Sequence, residues 1–251
     1  SGRILLMFAR FPYGRHARDA GWIKMADPGY DSPNVNVLTY ICHSDDDGLT
    51  WSEPVDISRQ VKPPELINAN TPGHMIQLTR GPLAGRVITG LWGTVPVNKN
   101  GIRTREWRIV VAYSDDQGVT WKRTRILNDA SGKGFANECQ IAEAANGDLI
   151  LICRNQGGDL FRKKAISKDG GETWSNIKID RTLPSVACMG SLIAGPIQPN
   201  GGWDLFASFP SNKGRKDGQI AKSIDNGQTW RIVNTIPGPF AYSALQVSPG
   251  Q

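Results

Sequence analysis

One stretch in the second half of the chain carries a carboxylate and a guanidinium at matched positions. Residues 137–155 read NECQIAEAANGDLILICRN, and the alternating apolar residues on both sides of Asn146-Gly147 predict a β-hairpin. If the chain reverses through a type I turn with a bulge at Gly147, Glu138 lies opposite Arg154; a two-residue turn would shift that pairing by one position. These residue types can do acid–base and anion-binding chemistry, but they can equally form a simple cross-strand ion pair.

Two further side chains could contribute to such chemistry. Arg215 lies at a glycine turn just before a predicted strand, in SNKGRKDGQIAKS, and Tyr242 follows a proline-containing turn, in GPFAYSALQ. Arginine is a planar, permanently charged donor that can bind both oxygens of a carboxylate. A tyrosine has a pKa of about 10, so it is a poor nucleophile at neutral pH and needs a base. Taken alone, Arg215 could be a solvated loop residue and Tyr242 a residue that packs on the core.

The elements that must position these residues are indicated by a repeat. The pattern Ser-x-Asp-x-Gly-x-Thr-Trp occurs four times, and the spacings between successive copies are 70, 53 and 56 residues, as read from Ser44, Ser114, Ser167 and Ser223. An alternating apolar run precedes each copy and a short strand follows it, so the local prediction is strand, turn, strand. A period of about 50 residues is typical of the blades of a β-propeller.

The residue types of the repeat suit a tight turn. Its aspartate can accept N–H bonds from its own turn, its glycine can adopt a positive φ, and its tryptophan can pack between neighbouring strands. A role for the aspartates as calcium ligands or catalytic acids is less favoured, because they recur in every copy whereas an active site is needed once. Sequence patterns typical of helices are nearly absent, so the sequence predicts an all-β fold.

The repeat resembles the Asp-box, or bacterial neuraminidase (BNR) repeat, of the sialidase family. The segments NECQIAE, LICRN, GRKDGQIAKS and FAYSALQ resemble the site segments of that family in the same order, and PGHMIQLTRGPLAGR and CMGSLI resemble segments between them. The resemblance covers essentially the whole chain. It implies a six-bladed sialidase-like β-propeller in which residues 1–251 are a single catalytic domain, with only four Asp-boxes and strands missing at both ends.

The resemblance also implies an activity and a role for each site residue. The protein would be an exo-α-sialidase that removes terminal sialic acid from glycoconjugates with retention of configuration, through a covalent tyrosyl intermediate. Tyr242 would be the nucleophile, Glu138 its base, and Arg154 and Arg215 would bind the carboxylate of the sugar. A neutral phenol suits this substrate because a carboxylate nucleophile would repel the substrate's own carboxylate. The family's first arginine has no counterpart in the sequence.

The general acid of the family is an aspartate between the first strand and the first Asp-box. Here that segment is RFPYGRHARDAGWIKMADPGYDSPNVN, with three aspartates. Asp31, thirteen residues before Ser44, is the favoured candidate, Asp19 is the second and Asp27 the third. Each of them could instead cap a turn.

Composition limits the other classes of function. The net charge is +6, but the basic residues are scattered, which argues against a nucleic-acid partner and would equally suit a small anionic substrate. The resemblance implies that this partner is a sialylated glycan. The four cysteines show no CxxC spacing, so we expect free, buried thiols and neither a metal site nor a cofactor. No apolar run is long enough to predict a membrane span. The resemblance favours a secreted or periplasmic protein, and the sequence carries no prediction of oligomeric state.

Two alternatives stay open from the sequence alone. One is a propeller that binds sialic acid without turning it over, since the general acid and the first arginine are not assigned. The other is an Asp-box glycoside hydrolase acting on another acidic sugar, since the long segment before Ser44 could reshape the pocket.

Overall fold

The computed structural model describes residues 2–11, 37–69 and 72–248, which form four antiparallel β-sheets. Sheet 1 contains β1 (Ile4–Arg10), β2 (Leu38–Ser44) and β3 (Val55–Asp56). Sheet 2 contains β4 (Ile76–Gln77), β5 (Val87–Lys99), β6 (Ile102–Ser114) and β7 (Lys122–Arg123). Sheet 3 contains β8 (Phe135–Glu143), β9 (Leu149–Gln156), β10 (Phe161–Ser167) and β11 (Lys178–Pro184). Sheet 4 contains β12 (Ser191–Ala194), β13 (Leu205–Pro210), β14 (Lys216–Ser223) and β15 (Arg231–Pro239).

The strands follow one another in chain order within each sheet, as expected for blades built from successive hairpins. The described part of the chain also contains a four-residue helix, α1 (Ser58–Val61), and a single 3-10 turn at Gly81–Leu83. None of its helices is long and apolar enough to cross a membrane. The all-β prediction is confirmed, whereas closure into a six-bladed ring stays a prediction.

Every Asp-box occupies the same place in its sheet. The four copies begin at the last residues of β2, β6, β10 and β14, and each leads into the outermost strand of the same sheet. The predicted order of strand, turn and strand is therefore confirmed for all four copies.

The second Asp-box shows the hydrogen bonds that hold the turn. The Asp116 carboxylate accepts bonds from the Thr120 amide at 2.8 Å and from the Ser114 hydroxyl at 2.7 Å, and the Gly118 amide donates to the Ser114 hydroxyl at 2.8 Å. The bond from the Thr120 hydroxyl is the main reason why the pKa of Asp116 falls to about 2. The first, third and fourth boxes repeat these aspartate contacts, so the aspartates serve the turn, as predicted.

The boxes also join neighbouring sheets, which the sequence did not indicate. The glycines of the last three boxes have positive φ, and a Cβ on them would lie 2.8 Å from Leu5, 2.2 Å from Ile88 and 2.7 Å from Ile150, respectively. These three residues lie on the preceding sheet in each case. Glycine is thus required for close approach between sheets as well as for the turn.

The tryptophans of the boxes also contact the preceding sheet, with the exception of Trp51. Trp121, Trp174 and Trp230 each pack in the apolar core between their own sheet and the preceding one. Trp51 belongs to sheet 1, and its ring is 43% exposed. The prediction that every box tryptophan is packed is wrong for Trp51, because the described residues include no sheet on that side.

Three apolar clusters form the core, one between each pair of successive sheets. Representative members are Leu91 between sheets 1 and 2, Ile141 between sheets 2 and 3, and Leu205 between sheets 3 and 4. All four cysteines are buried and free, as predicted, although Cys139 and Cys153 face each other across β8 and β9.

Arg86 links the Asp-boxes of sheets 2 and 3. Its side chain is 3% exposed, donates to Asp115 at 2.6 Å and to Glu172 at 3.1 Å, and lies over the Tyr113 ring at 4.2 Å. We expect Arg86→Met to lower the free energy of unfolding by about 2 kcal/mol, because it breaks charge-assisted hydrogen bonds whose acceptors stay partly solvated. Urea denaturation measures the change. Lys122→Met removes a distant, 70% exposed partner of Asp115 and is the control; equal midpoints for the two variants would contradict the prediction.

Candidate active site

The β8–β9 hairpin brings Glu138 to Arg154. Gly147 has a φ of +86° and its amide donates to the Ala144 carbonyl at 2.9 Å, as in a type I turn followed by a glycine bulge. Arg154 Nη1 donates to Glu138 Oε2 at 3.0 Å. The conditional prediction that these residues face each other is confirmed.

A second irregularity in the hairpin shapes the site. Ala136 pairs with Asn155 but Cys139 pairs with Cys153, so two residues of β8, Asn137 and Glu138, lie opposite Arg154 alone. Because successive side chains of a strand alternate, Glu138 lies on the side of β8 opposite Cys139, which packs in the core. Glu138 is nevertheless only 7% exposed, so its carboxylate lies in a largely dry environment.

Tyr242 lies beside this carboxylate although 104 residues separate it from Glu138. Its hydroxyl donates to Glu138 Oε1 and accepts from Arg154 Nη1 at 3.4 Å. The chain around it is attached to sheet 4, because the Ser243 hydroxyl lies 2.7 Å from that of Ser208 and the Leu245 amide donates to the Ser191 hydroxyl at 3.0 Å. The phenol is therefore contributed from sheet 4 to a base on sheet 3.

Arg215 completes the group from the turn before β14. Its Cζ lies 5.7 Å from the centroid of the Tyr242 ring, and its carbonyl accepts a bond from the Phe240 amide at 3.1 Å. Its side chain is exposed, whereas that of Arg154 is 16% exposed. Because β14 begins beside Arg215 and ends at an Asp-box, the group lies at the end of the sheets opposite the Asp-boxes.

The electrostatics favour a protonated phenol in the free protein. Burial, the hydrogen bond to Glu138 and the charge of Glu138 raise the pKa of Tyr242 to about 12, while the charge of Arg154 acts in the opposite direction. The hydroxyl is thus a donor at neutral pH, and a phenol in this state would need a base before it could act as a nucleophile.

This environment gives a testable titration. In Glu138→Gln the pKa of Tyr242 should fall below about 12, because the negative charge is removed, but stay above about 10, because burial remains. Ultraviolet difference titration measures it, with Tyr242→Phe identifying the contribution of this phenol. Glu53→Gln, at an exposed position, is the control and should leave the titration unchanged. A pKa of Tyr242 that does not move in Glu138→Gln would contradict the assigned contact.

The structure brings together four of the five residues predicted from the sequence. Glu138, Arg154 and Arg215 each lie against Tyr242, whereas Asp31 and its alternatives Asp19 and Asp27 lie outside the described residues. No group of His, Cys, Asp and Glu side chains within residues 2–11, 37–69 and 72–248 is arranged to hold a metal ion.

Sequence reasoning missed Arg162 and the position of Cys188. Arg162 is only 2% exposed. Burial raises the pKa of the Cys188 thiol, while the positive charges of Arg215, Arg162 and Arg154 act to lower it. The residue pattern of FRKKAIS did not single out Arg162, because Arg162 and the neighbouring Lys163 are both buried and the strand shows no simple alternation there.

Comparisons with known proteins agree with this geometry. A family model described as "BNR repeat-like domain" matches residues 27–251. A sialidase of Micromonospora viridifaciens is 35% identical over 231 residues, which cover 88% of this chain and 34% of that protein. A sialidase of Bacteroides fragilis (strain YCH46) is 35% identical over 228 residues, which cover 88% of this chain and 38% of that protein.

Among solved structures, a Hadza microbial sialidase, Hz136, superposes with a TM-score of 0.77 at 29% identity. The match covers 98% of this chain and 45% of that one. The chain therefore spans less than half the length of each of these three proteins.

Proposed function

The chain belongs to the sialidase superfamily with Asp-box (BNR) repeats, and on this basis we propose that it is the catalytic part of an exo-α-sialidase. The substrate would be a glycan that ends in sialic acid, and the reaction would be hydrolysis with retention of configuration. The observation that carries the proposal is the hydrogen bond from Tyr242 to Glu138 next to two arginines.

Arg154 and Arg215 would hold the carboxylate of the sugar. They approach Tyr242 from different elements, β9 and the turn before β14, so a carboxylate bound between them would lie beside the phenol. The excess of 29 basic over 23 acidic residues adds a general attraction for an anionic glycan.

The first half of the reaction would use Glu138 as base. Because the pKa of Tyr242 is about 12, the phenol is not ionised beforehand at neutral pH. Proton transfer to Glu138 would therefore accompany attack of Tyr242 Oη on the anomeric carbon. The bond from that carbon to the leaving oxygen would break at the same time, and a general acid, for which Asp31 is the candidate, would protonate the leaving oxygen.

The second half would reverse these roles. The deprotonated acid would take a proton from water, the water oxygen would attack the anomeric carbon, and the tyrosyl oxygen would leave with the proton held by Glu138. Two displacements at one carbon give overall retention.

The test is turnover of a panel of fluorogenic glycosides by the purified protein. We expect release of 4-methylumbelliferone from the sialoside and none from the glucuronide, with the α-anomer of sialic acid formed first in proton NMR. Turnover of the glucuronide alone would select a hydrolase for another acidic sugar. Binding of sialic acid in calorimetry without any turnover would instead select a binding protein, and a β-anomer as first product would exclude the tyrosyl intermediate.

A further inference from the structure

Arg162 carries a buried charge that forms no ion pair within the part of the chain that the structure describes. It lies on β10 and is 2% exposed, and no described carboxylate lies within ion-pair distance of it. Its contacts are neutral: Nη1 donates to the Cys188 carbonyl at 3.0 Å and to the Ser185 hydroxyl at 3.3 Å. Its Nε is buried with no acceptor. Burying an unpaired charge is unfavourable, so packing alone does not explain an arginine here.

The contacts of Arg162 lie on a connection that passes beside the candidate active site. Residues 185–190, here called the Cys188 segment, join β11 of sheet 3 to β12 of sheet 4. The Ser185 amide donates to the Leu160 carbonyl at 3.0 Å, and the Val186 amide donates to the Ser211 carbonyl at 3.3 Å. The Cys188 segment thus spans the two sheets that contribute Arg154 and Arg215.

A short series of contacts connects Arg162 to Ser243, the residue that follows Tyr242. A Cβ on Gly190 would lie 3.2 Å from Arg162 Cζ and 2.4 Å from the Ser208 carbonyl, so only glycine allows this approach. The Ser208 carbonyl accepts from the Ser243 hydroxyl at 3.2 Å, and Ser243 directly follows Tyr242. The guanidinium of Arg162 therefore contacts backbone next to the site, and it lies near enough for the charges of Glu138 and Arg154 to act on it.

We propose that Arg162 is a positioning residue with two effects: it fixes the Cys188 segment, and it supplies a positive charge close to the arginines that would bind the anionic sugar. The inference rests on the proposed function. Because none of the described carboxylates forms an ion pair with it and little water screens it, this charge acts on the site more strongly than an exposed one would. Arg162 does not touch the substrate, and its charge remains present at neutral pH, since burial lowers its pKa only to about 10.

Two substitutions separate the charge from the hydrogen bonds. Arg162→Gln keeps an amide donor for the Cys188 carbonyl but removes the charge, whereas Arg162→Lys keeps the charge. We expect Arg162→Gln to raise both the KM for the sialoside and the inhibition constant of free sialic acid about tenfold, with kcat within about threefold of wild type. Arg162→Lys should restore both constants to within about threefold. The matched control is Arg86→Met, because Arg86 is also a buried arginine but lies at the opposite end of the sheets. This variant should leave the KM unchanged.

Each result decides the inference. A folded Arg162→Gln protein with a wild-type KM overturns it, and wild-type turnover in the same experiment leaves the proposed function intact. If Arg162→Gln does not fold, or if Arg86→Met raises the KM equally, Arg162 is a stability residue and the inference fails. If the wild-type protein neither turns over the sialoside nor binds sialic acid, the proposed function itself is overturned.

Discussion

Tyr242→Phe is expected to lower kcat/KM for the sialoside at least about a thousandfold, with little change in the affinity for free sialic acid. The substitution removes the oxygen that attacks the anomeric carbon in the proposed reaction, whereas the aromatic ring near Arg215 remains. Steady-state kinetics and calorimetry measure the two quantities. Tyr113→Phe, which alters a tyrosine next to an Asp-box, is the control and should keep wild-type kinetics.

Glu138→Gln should cause a loss of similar size, because a phenol with a pKa of about 12 cannot attack without a base. The two residues act as one unit, so the double variant should lose little more than either single variant. Wild-type rates in both single variants would end the assignment of this pair as nucleophile and base. Additive losses in the double variant would show that the two side chains act in separate steps.

The parts of the fold that the sequence predicted are held by local contacts. In each Asp-box the aspartate accepts the amide of a residue four positions later, so one eight-residue pattern contains the whole turn. The pairing of Glu138 with Arg154 is local in the same sense, because the turn at Gly147 sets its register. The bulge at Asn137 and Glu138 has no comparable pattern of residues in the sequence.

The non-local parts of the site could not be derived from residue patterns. Tyr242 reaches Glu138 across 104 residues, and only the resemblance to a family placed the two together. Arg162 was missed because its burial depends on the Cys188 segment, which lies against it only after sheets 3 and 4 have packed. Trp51 shows the same limit, since an exposed or packed ring depends on which sheet precedes it.

Arg154 has a larger share in the proposed chemistry than Arg215, and this leads to different expected effects for the two arginines. Its side chain contacts both Glu138 and Tyr242, whereas the exposed side chain of Arg215 lies over the phenol ring. Arg154→Met should therefore lower kcat/KM about a thousandfold, through both kcat and KM, because it removes a carboxylate-binding group and a donor that aligns the base. Arg215→Met should mainly raise KM, about tenfold, since it removes charge from the edge of the site.

Arg154→Lys tests whether the geometry of the guanidinium matters beyond its charge. A lysine ammonium is a single point of charge, and it cannot present the planar fork that contacts Glu138 and Tyr242 and that, in the proposed reaction, would also bind the substrate carboxylate. We expect it to recover at most about tenfold of the thousandfold loss, with most of the recovery in KM. Full recovery by lysine would mean that Arg154 only contributes charge, and equal effects of Arg154→Met and Arg215→Met would mean that contact with the base adds nothing. In either case Glu138 alone would align Tyr242, and the hydrogen bond that Arg154 donates to the phenol would not contribute to that alignment.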